Sequence, residues 1–217
     1  GRIEIDGIDI ATLGLRRLRS AIAMLPQDPT LFAGSVRSNL DPFSDATDAE
    51  VWEALHRAQM DEAVRALPAG LDSEVGEGGG SFSVGQRQLL CLARAVLRDS
   101  RLLVMDECTA SVDVATDGKI QAMIREVFAD CTIFAIAHRL ATIIDYDHIL
   151  VLEQGTIAES GHPADLLRDP EGQLSALVDQ SGPSMAAHLR SVAAAAEAGR
   201  GDQIGGKIPG SPSFGRR

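Results

Sequence analysis

Four apolar residues, Leu102–Met105, run directly into two acids, Asp106 and Glu107, and this pattern constrains the fold more than any other in the chain. It reads as a buried strand that ends in a polar site. Open α/β sheets bind their ligands there, outside the carboxyl ends of the strands. One carboxylate in such a place can hold Mg²⁺ directly or through water, and its neighbour can polarise an attacking water. Alone the pattern is weak, because a strand ending in Asp-Glu is more often just a strand meeting solvent.

Two more apolar runs end in the same way. Ala21–Leu25 breaks at Pro26 and delivers Gln27 into a loop, and Ile133–Ala137 ends at His138. The Gln27 amide oxygen can coordinate Mg²⁺ or position water; the competing reading is an ordinary surface glutamine. A lone histidine such as His138 is more often structural than catalytic. Between these runs, Ser83 stands before a stretch in which Leu89, Leu90, Leu92, Ala93, Val96 and Leu97 form one apolar helix face. Ser83 occupies the N-cap position. A helix opening with Ser-x-Gly presents unbonded backbone N–H groups and a hydroxyl to an anion, helped by the helix dipole. A plain capped helix is the alternative.

The order of these elements resembles that of the nucleotide-binding domain of ATP-binding cassette (ABC) transporters. Leu25-Pro26-Gln27 matches the Q-loop and Phe82 to Gln86 the signature. Leu102 to Glu107 matches Walker B, Ser111 to Asp113 the D-loop and Ala137-His138-Arg139 the H-loop. Asn39 to Phe43 and Ser83 to Gln88 are similar to the second, C-terminal cassette of the C subfamily, which holds the multidrug-resistance-associated exporters. Phe82 and Val84 depart from the common Leu-Ser-Gly-Gly-Gln signature, and the valine is typical of that second cassette.

The resemblance implies an α/β fold with a mainly parallel core sheet, antiparallel β segments and a helical subdomain. It also implies a role for each matching residue in an ATP- and Mg²⁺-dependent exporter. Glu107 would be the general base, Asp106 and Gln27 would hold Mg²⁺, and His138 would contact the γ-phosphate. Ser83, Val84, Gly85, Gln86 and Asp113 would bind nucleotide, the signature residues meeting the ATP seated on a partner cassette arranged head to tail. The remaining partners would be transmembrane domains and the small molecule they export.

The phosphate loop of the family, Gly-x-x-x-x-Gly-Lys-Ser/Thr, does not precede Gln27. Gly201 to Ile208 imitates it but lacks the hydroxyl residue, carries Pro209 next to it and follows no apolar strand. Gly1 is therefore expected to be a truncation point directly after the phosphate-loop helix. A non-catalytic cassette fragment acting at most as an interaction module follows from that expectation as an alternative reading, and a soluble ABC ATPase is a separate one.

Bulk properties agree with a cassette at the cytosolic face of a membrane. A net charge of −11 argues against non-specific binding to nucleic acid or anionic lipid. Cys91, Cys108 and Cys131 are scattered, which suits a reducing compartment. No apolar run approaches the roughly 18 residues that span a bilayer. The nucleotide-binding domain is expected over residues 1–180, with the helical subdomain at about 35–97, where Asp48 caps a helix carrying Val51, Trp52 and Leu55. Residues 181–217 read as a mostly disordered tail, with at best a marginal helix from Met185 to Ala198.

Overall fold

The computed structural model describes residues 1–109 and 112–203. Contacts divide the chain into two compact units, the first from Gly1 to His138 and the second from Arg139 onward.

The first unit opens on a hairpin, β1 (Glu4–Ile5) and β2 (Ile8–Asp9), turned by Asp6 and Gly7 at positive φ. Next comes α1 (Leu15–Ala21), a helix that no pattern in the sequence analysis announced. It takes Ala21, so β3 begins one residue later and spans Ile22–Leu25. β3, β6 (Leu102–Asp106) and β7 (Thr132–Ile136) then form a parallel sheet in the order β3-β6-β7. Met24, Val104 and Phe134 share one register row. Ala23, Leu25, Leu103 and Met105 point to the buried face, each at most 2% exposed. Met24, Phe134 and Ile136 point the other way and are exposed. The strand period of two therefore sorts the apolar run Leu102–Met105 onto two unlike faces.

A helical layer lies between β3 and β6 in sequence. The short antiparallel pair β4 (Gly34–Ser35) and β5 (Glu74–Val75) brackets α2 (Val36–Leu40), α3 (Asp48–Arg57) and α4 (Asp61–Arg65). The cap of α3 is Thr47, not Asp48: Thr47 Oγ1 accepts from Glu50 N, and Glu50 returns a carboxylate to Thr47 N at 2.7 Å. That reciprocal pairing satisfies two helix-end donors at once, and Asp48 falls in the first turn, where an acid also suits the dipole. Val51 and Leu55 are fully buried, while Trp52 is half-buried beneath the Arg65 guanidinium, 4.7 Å from the ring centre.

α5 (Val84–Leu97) starts at Ser83 as its spacing predicts, with the same kind of box between Ser83 and Gln86. Its burial is wider than one apolar face, because Gln88, Cys91 and Ala95 are buried together with Leu90, Leu92 and Ala93. Phe82, a departure from the usual signature, is 6% exposed and anchors the helix entry. Its N–H donates to Gly79 O, and its carbonyl accepts from Arg87. α6 (Val114–Val127) completes the helices of this unit.

The second unit contains α7 (Leu140–Ile143) and the hairpin β8 (Ile149–Glu153) and β9 (Thr156–Gly161), turned at Gln154-Gly155. α8 (Pro163–Leu166), α9 (Gln173–Gln180) and α10 (Pro183–Gln203) follow. α10 corrects the expectation of a mostly disordered tail as far as Gln203. Ala186, Leu189 and Ala193 lie on one side of it and bury themselves with Ile144, Ala164 and Val178. Alanine contributes little apolar area, but it lets the helix approach closely, and Arg190–Asp179 and Arg168–Glu197 pairs hold its flanks. Residues 204–217, which include most of the Gly201–Ile208 imitation of a phosphate loop, lie outside the described residues.

Candidate functional site

Beyond the carboxyl ends of the three parallel strands, Gln27, Glu107 and His138 meet. β3 ends two residues before Gln27, β6 ends one before Glu107, and β7 ends two before His138. Glu107 takes φ = 47°, a left-handed conformation uncommon for a side chain larger than Asn or Asp. This turns its backbone off the strand line, and its N–H donates to Ile136 O at 2.9 Å. The carboxylate then faces both neighbours. His138, with its proton on Nε2, donates to Glu107 Oε1 at 2.6 Å, and Gln27 Nε2 donates to Oε2 at 3.4 Å. The Glu107 side chain is 18% exposed and that of His138 78%, so the cluster is solvent-facing with its acid set back.

Asp106, the last residue of β6, is half-buried beside Ile136. Among the described residues no group of three or more His, Cys, Asp and Glu side chains is placed to hold a metal. Mg²⁺ does not need one: it commonly takes one or two carboxylates and fills its octahedron with water and phosphate oxygens. Asp106 and the Gln27 amide oxygen are hard oxygen donors that fit such a limited role. No hydrogen bond among the described residues engages that amide oxygen.

The signature residues Ser83, Val84, Gly85 and Gln86 form the first turn of α5. Ser83 Oγ accepts from Gln86 N at 3.2 Å and Gln86 Oε1 accepts from Ser83 N at 2.9 Å. By helix geometry the N–H groups of Val84 and Gly85 are left with no intrahelical acceptor. Gly85 has a second reason to be glycine. A Cβ on it would stand 3.0 Å from Thr116 Cγ2 and 3.8 Å from Val112 Cγ1, so the N-terminal ends of α5 and α6 are in near contact there. Asp113 caps that neighbouring helix, accepting from Thr116 N at 3.0 Å. The Ser111 end of the D-loop lies outside the described residues.

Sequence reasoning named the three converging side chains but missed what sets them. The Ile136 carbonyl is a backbone group, and the positive φ of Glu107 has no sequence signal. Thr116, three residues after the Asp113 cap, carries no mark in the sequence of its contact with Gly85.

Residues 1–110 match the family model described as ABC transporter. The chain belongs to the ABC transporter family. It is 52% identical over 213 residues to ABC transporter C family member 3 of Dictyostelium discoideum, an alignment covering 98% of this chain and 15% of that protein. It is 54% identical over 170 residues to human ATP-binding cassette sub-family C member 2, covering 78% of this chain and 11% of that one. The chain therefore spans well under a fifth of the length of these curated relatives. A bacterial Atm1-family ABC exporter solved with ATP bound superposes with a TM-score of 0.77 at 38% identity. That match covers 84% of this chain and 32% of the exporter's. Among the described residues no helix is long and apolar enough to cross a membrane.

Proposed function

We propose that this chain is the hydrolytic and signature-bearing part of a nucleotide-binding domain that couples ATP hydrolysis to export of a small molecule or conjugate. The single observation that carries this reading is the convergence of Gln27, Glu107 and His138 at the strand ends. Within a longer polypeptide, transmembrane domains would carry the substrate, and a second cassette would face this one head to tail on the cytosolic side.

Glu107 is the base or polariser in this scheme. Its carboxylate accepts hydrogen bonds from His138 and Gln27, which fix its orientation and leave lone pairs for a water proton. His138, mostly exposed, is free to turn its N–H toward a terminal phosphate oxygen, where charge builds as the phosphoryl group departs. Asp106 and Gln27 would hold Mg²⁺, which when bound neutralises charge on the phosphate oxygens. Ser83 and the N–H groups of Val84 and Gly85 offer the partner cassette's nucleotide an anion site at a helix N-terminus. Val84 adds bulk where glycine would permit closer approach, so the composite site it completes is expected to turn over slowly.

ATP hydrolysis and fluorescent-ATP binding by the polypeptide containing these residues, with and without His138→Ala, test the reading. Binding within about threefold of wild type and turnover lowered by about 10²-fold or more is the expected result. Equal turnover in the variant would remove His138 from the site.

A further inference from the structure

Arg94 lies on α5, ten residues after Val84 and so about 15 Å along the helix from its first residue. Its Nε donates to Asn39 O at 2.7 Å and its Nη1 to Thr30 O at 3.4 Å. Nη2 is buried with no partner among the described residues. A guanidinium in this setting is spent on two backbone carbonyls from two different segments, α2 and the loop that begins at Gln27.

That loop is held to α5 and its approach at further points. Leu31 is 2% exposed and packs where a Cβ on Gly79, just ahead of the signature, would stand 2.8 Å from Leu31 Cδ1. The Cys91 thiol, one turn before Arg94, faces the same Thr30 carbonyl at 4.0 Å. Asn39, whose carbonyl Arg94 takes, grips Phe32 through both backbone groups at 2.8 Å. Between Gln27 and Thr30 stands Pro29, and Pro26 precedes Gln27, so little backbone freedom separates the Gln27 side chain from these anchors.

We propose that Arg94 is a positioning residue: its two-pronged grip on Thr30 and Asn39 makes the Gln27 loop and the Ser83 end of α5 move as one body. The proposal rests on the reading of Gln27 and Glu107 as the hydrolytic end and adds a link from it to the end that serves the partner's nucleotide. Displacing Gln27 by a ligand at its own site then displaces the signature turn.

Arg94→Lys separates positioning from bulk stability, because lysine keeps the charge and the stem but cannot bridge two carbonyls as a fork does. In the polypeptide containing these residues, thermal midpoint, KM for ATP and kcat per nucleotide-binding site are measured for wild type, Arg94→Lys, Gln27→Ala and the double variant. For Arg94→Lys the midpoint stays within about 4 °C of wild type. KM stays within about twofold, and kcat falls about tenfold or more. The double variant is no slower than Gln27→Ala alone, because both changes break the same link. Wild-type kcat in Arg94→Lys, or two losses that multiply, would overturn the proposal. If the wild type does not hydrolyse ATP, the functional reading fails and hydrogen exchange of the 217-residue chain decides the link by itself. Arg94→Lys then speeds exchange at both Phe32 and Gln86 if the link is real. Unchanged exchange at either amide rejects it.

Discussion

Glu107 shows how much one backbone angle contributes. In extended conformation its side chain would alternate with that of Asp106 across the sheet; at φ = 47° it swings to meet His138 and Gln27. The identities of these three residues were legible in the sequence because each ends an apolar run. The angle was not, since nothing in the side-chain order encodes it. Gly85 was legible only as a place of close approach, and the sequence could not say that Thr116 is what approaches. A residue-scale prediction concerns Cys108, next to Glu107. Burial pushes its thiol up to about 11, with Asp117 acting in the same sense and the Cys108 backbone N–H opposing. The native thiol should resist alkylation at pH 8 and react only when unfolded. Because the folded value lies above the ordinary 9.0, its contribution is complete below pH 9 and lost as pH rises toward 11. The loss should appear as a fall in stability relative to Cys108→Ala, read from denaturant melts across that window.

At the scale of elements, helix ends and helix contacts make separable predictions. Thr47→Ala removes the α3 cap and should cost about 1 kcal/mol in a urea melt, whereas Asp48→Ala should cost less than half of that. The α5–α6 contact is tested by a double-mutant cycle on Gly85→Ala and Thr116→Ser, the latter lacking the methyl that blocks a Cβ. A favourable coupling of about 1 kcal/mol is expected, and strict additivity would mean that the two helices are not in contact there. α10 is the element least legible in advance. Its alanines favour helix but give no amphipathic stripe, and the packing of Leu189 and Ala193 with Ile144 joins residues over 40 positions apart. Leu189→Ala should cost about 3 kcal/mol and raise amide exchange through residues 183–203. The α1 helix was missed for a simpler reason: in a seven-residue segment with four polar positions, a single turn of apolar period is too short to stand out.

For the molecule as a whole, the order of strands and motif residues was the most readable property. Three apolar runs, each ending in a residue that can bind or activate something, dictate a parallel sheet with a site at one edge. The register Met24–Val104–Phe134 shows the parallel sheet. Membership of the ABC transporter family and high identity to C-family relatives follow the same residues. Placement of the helical layer was less readable, because the Arg94 guanidinium joins it through the backbone carbonyls of Thr30 and Asn39, which any residue could supply. The central claim concerns Glu107, and the measurement that tests it most directly is single-turnover ATP hydrolysis by the polypeptide containing these residues, wild type against Glu107→Gln. Glutamine keeps the shape and can still bond Gln27 and His138, but it cannot take a proton. The account predicts that nucleotide binds and stays trapped while hydrolysis falls by about 10²-fold or more. Hydrolysis at the wild-type rate in Glu107→Gln would contradict it.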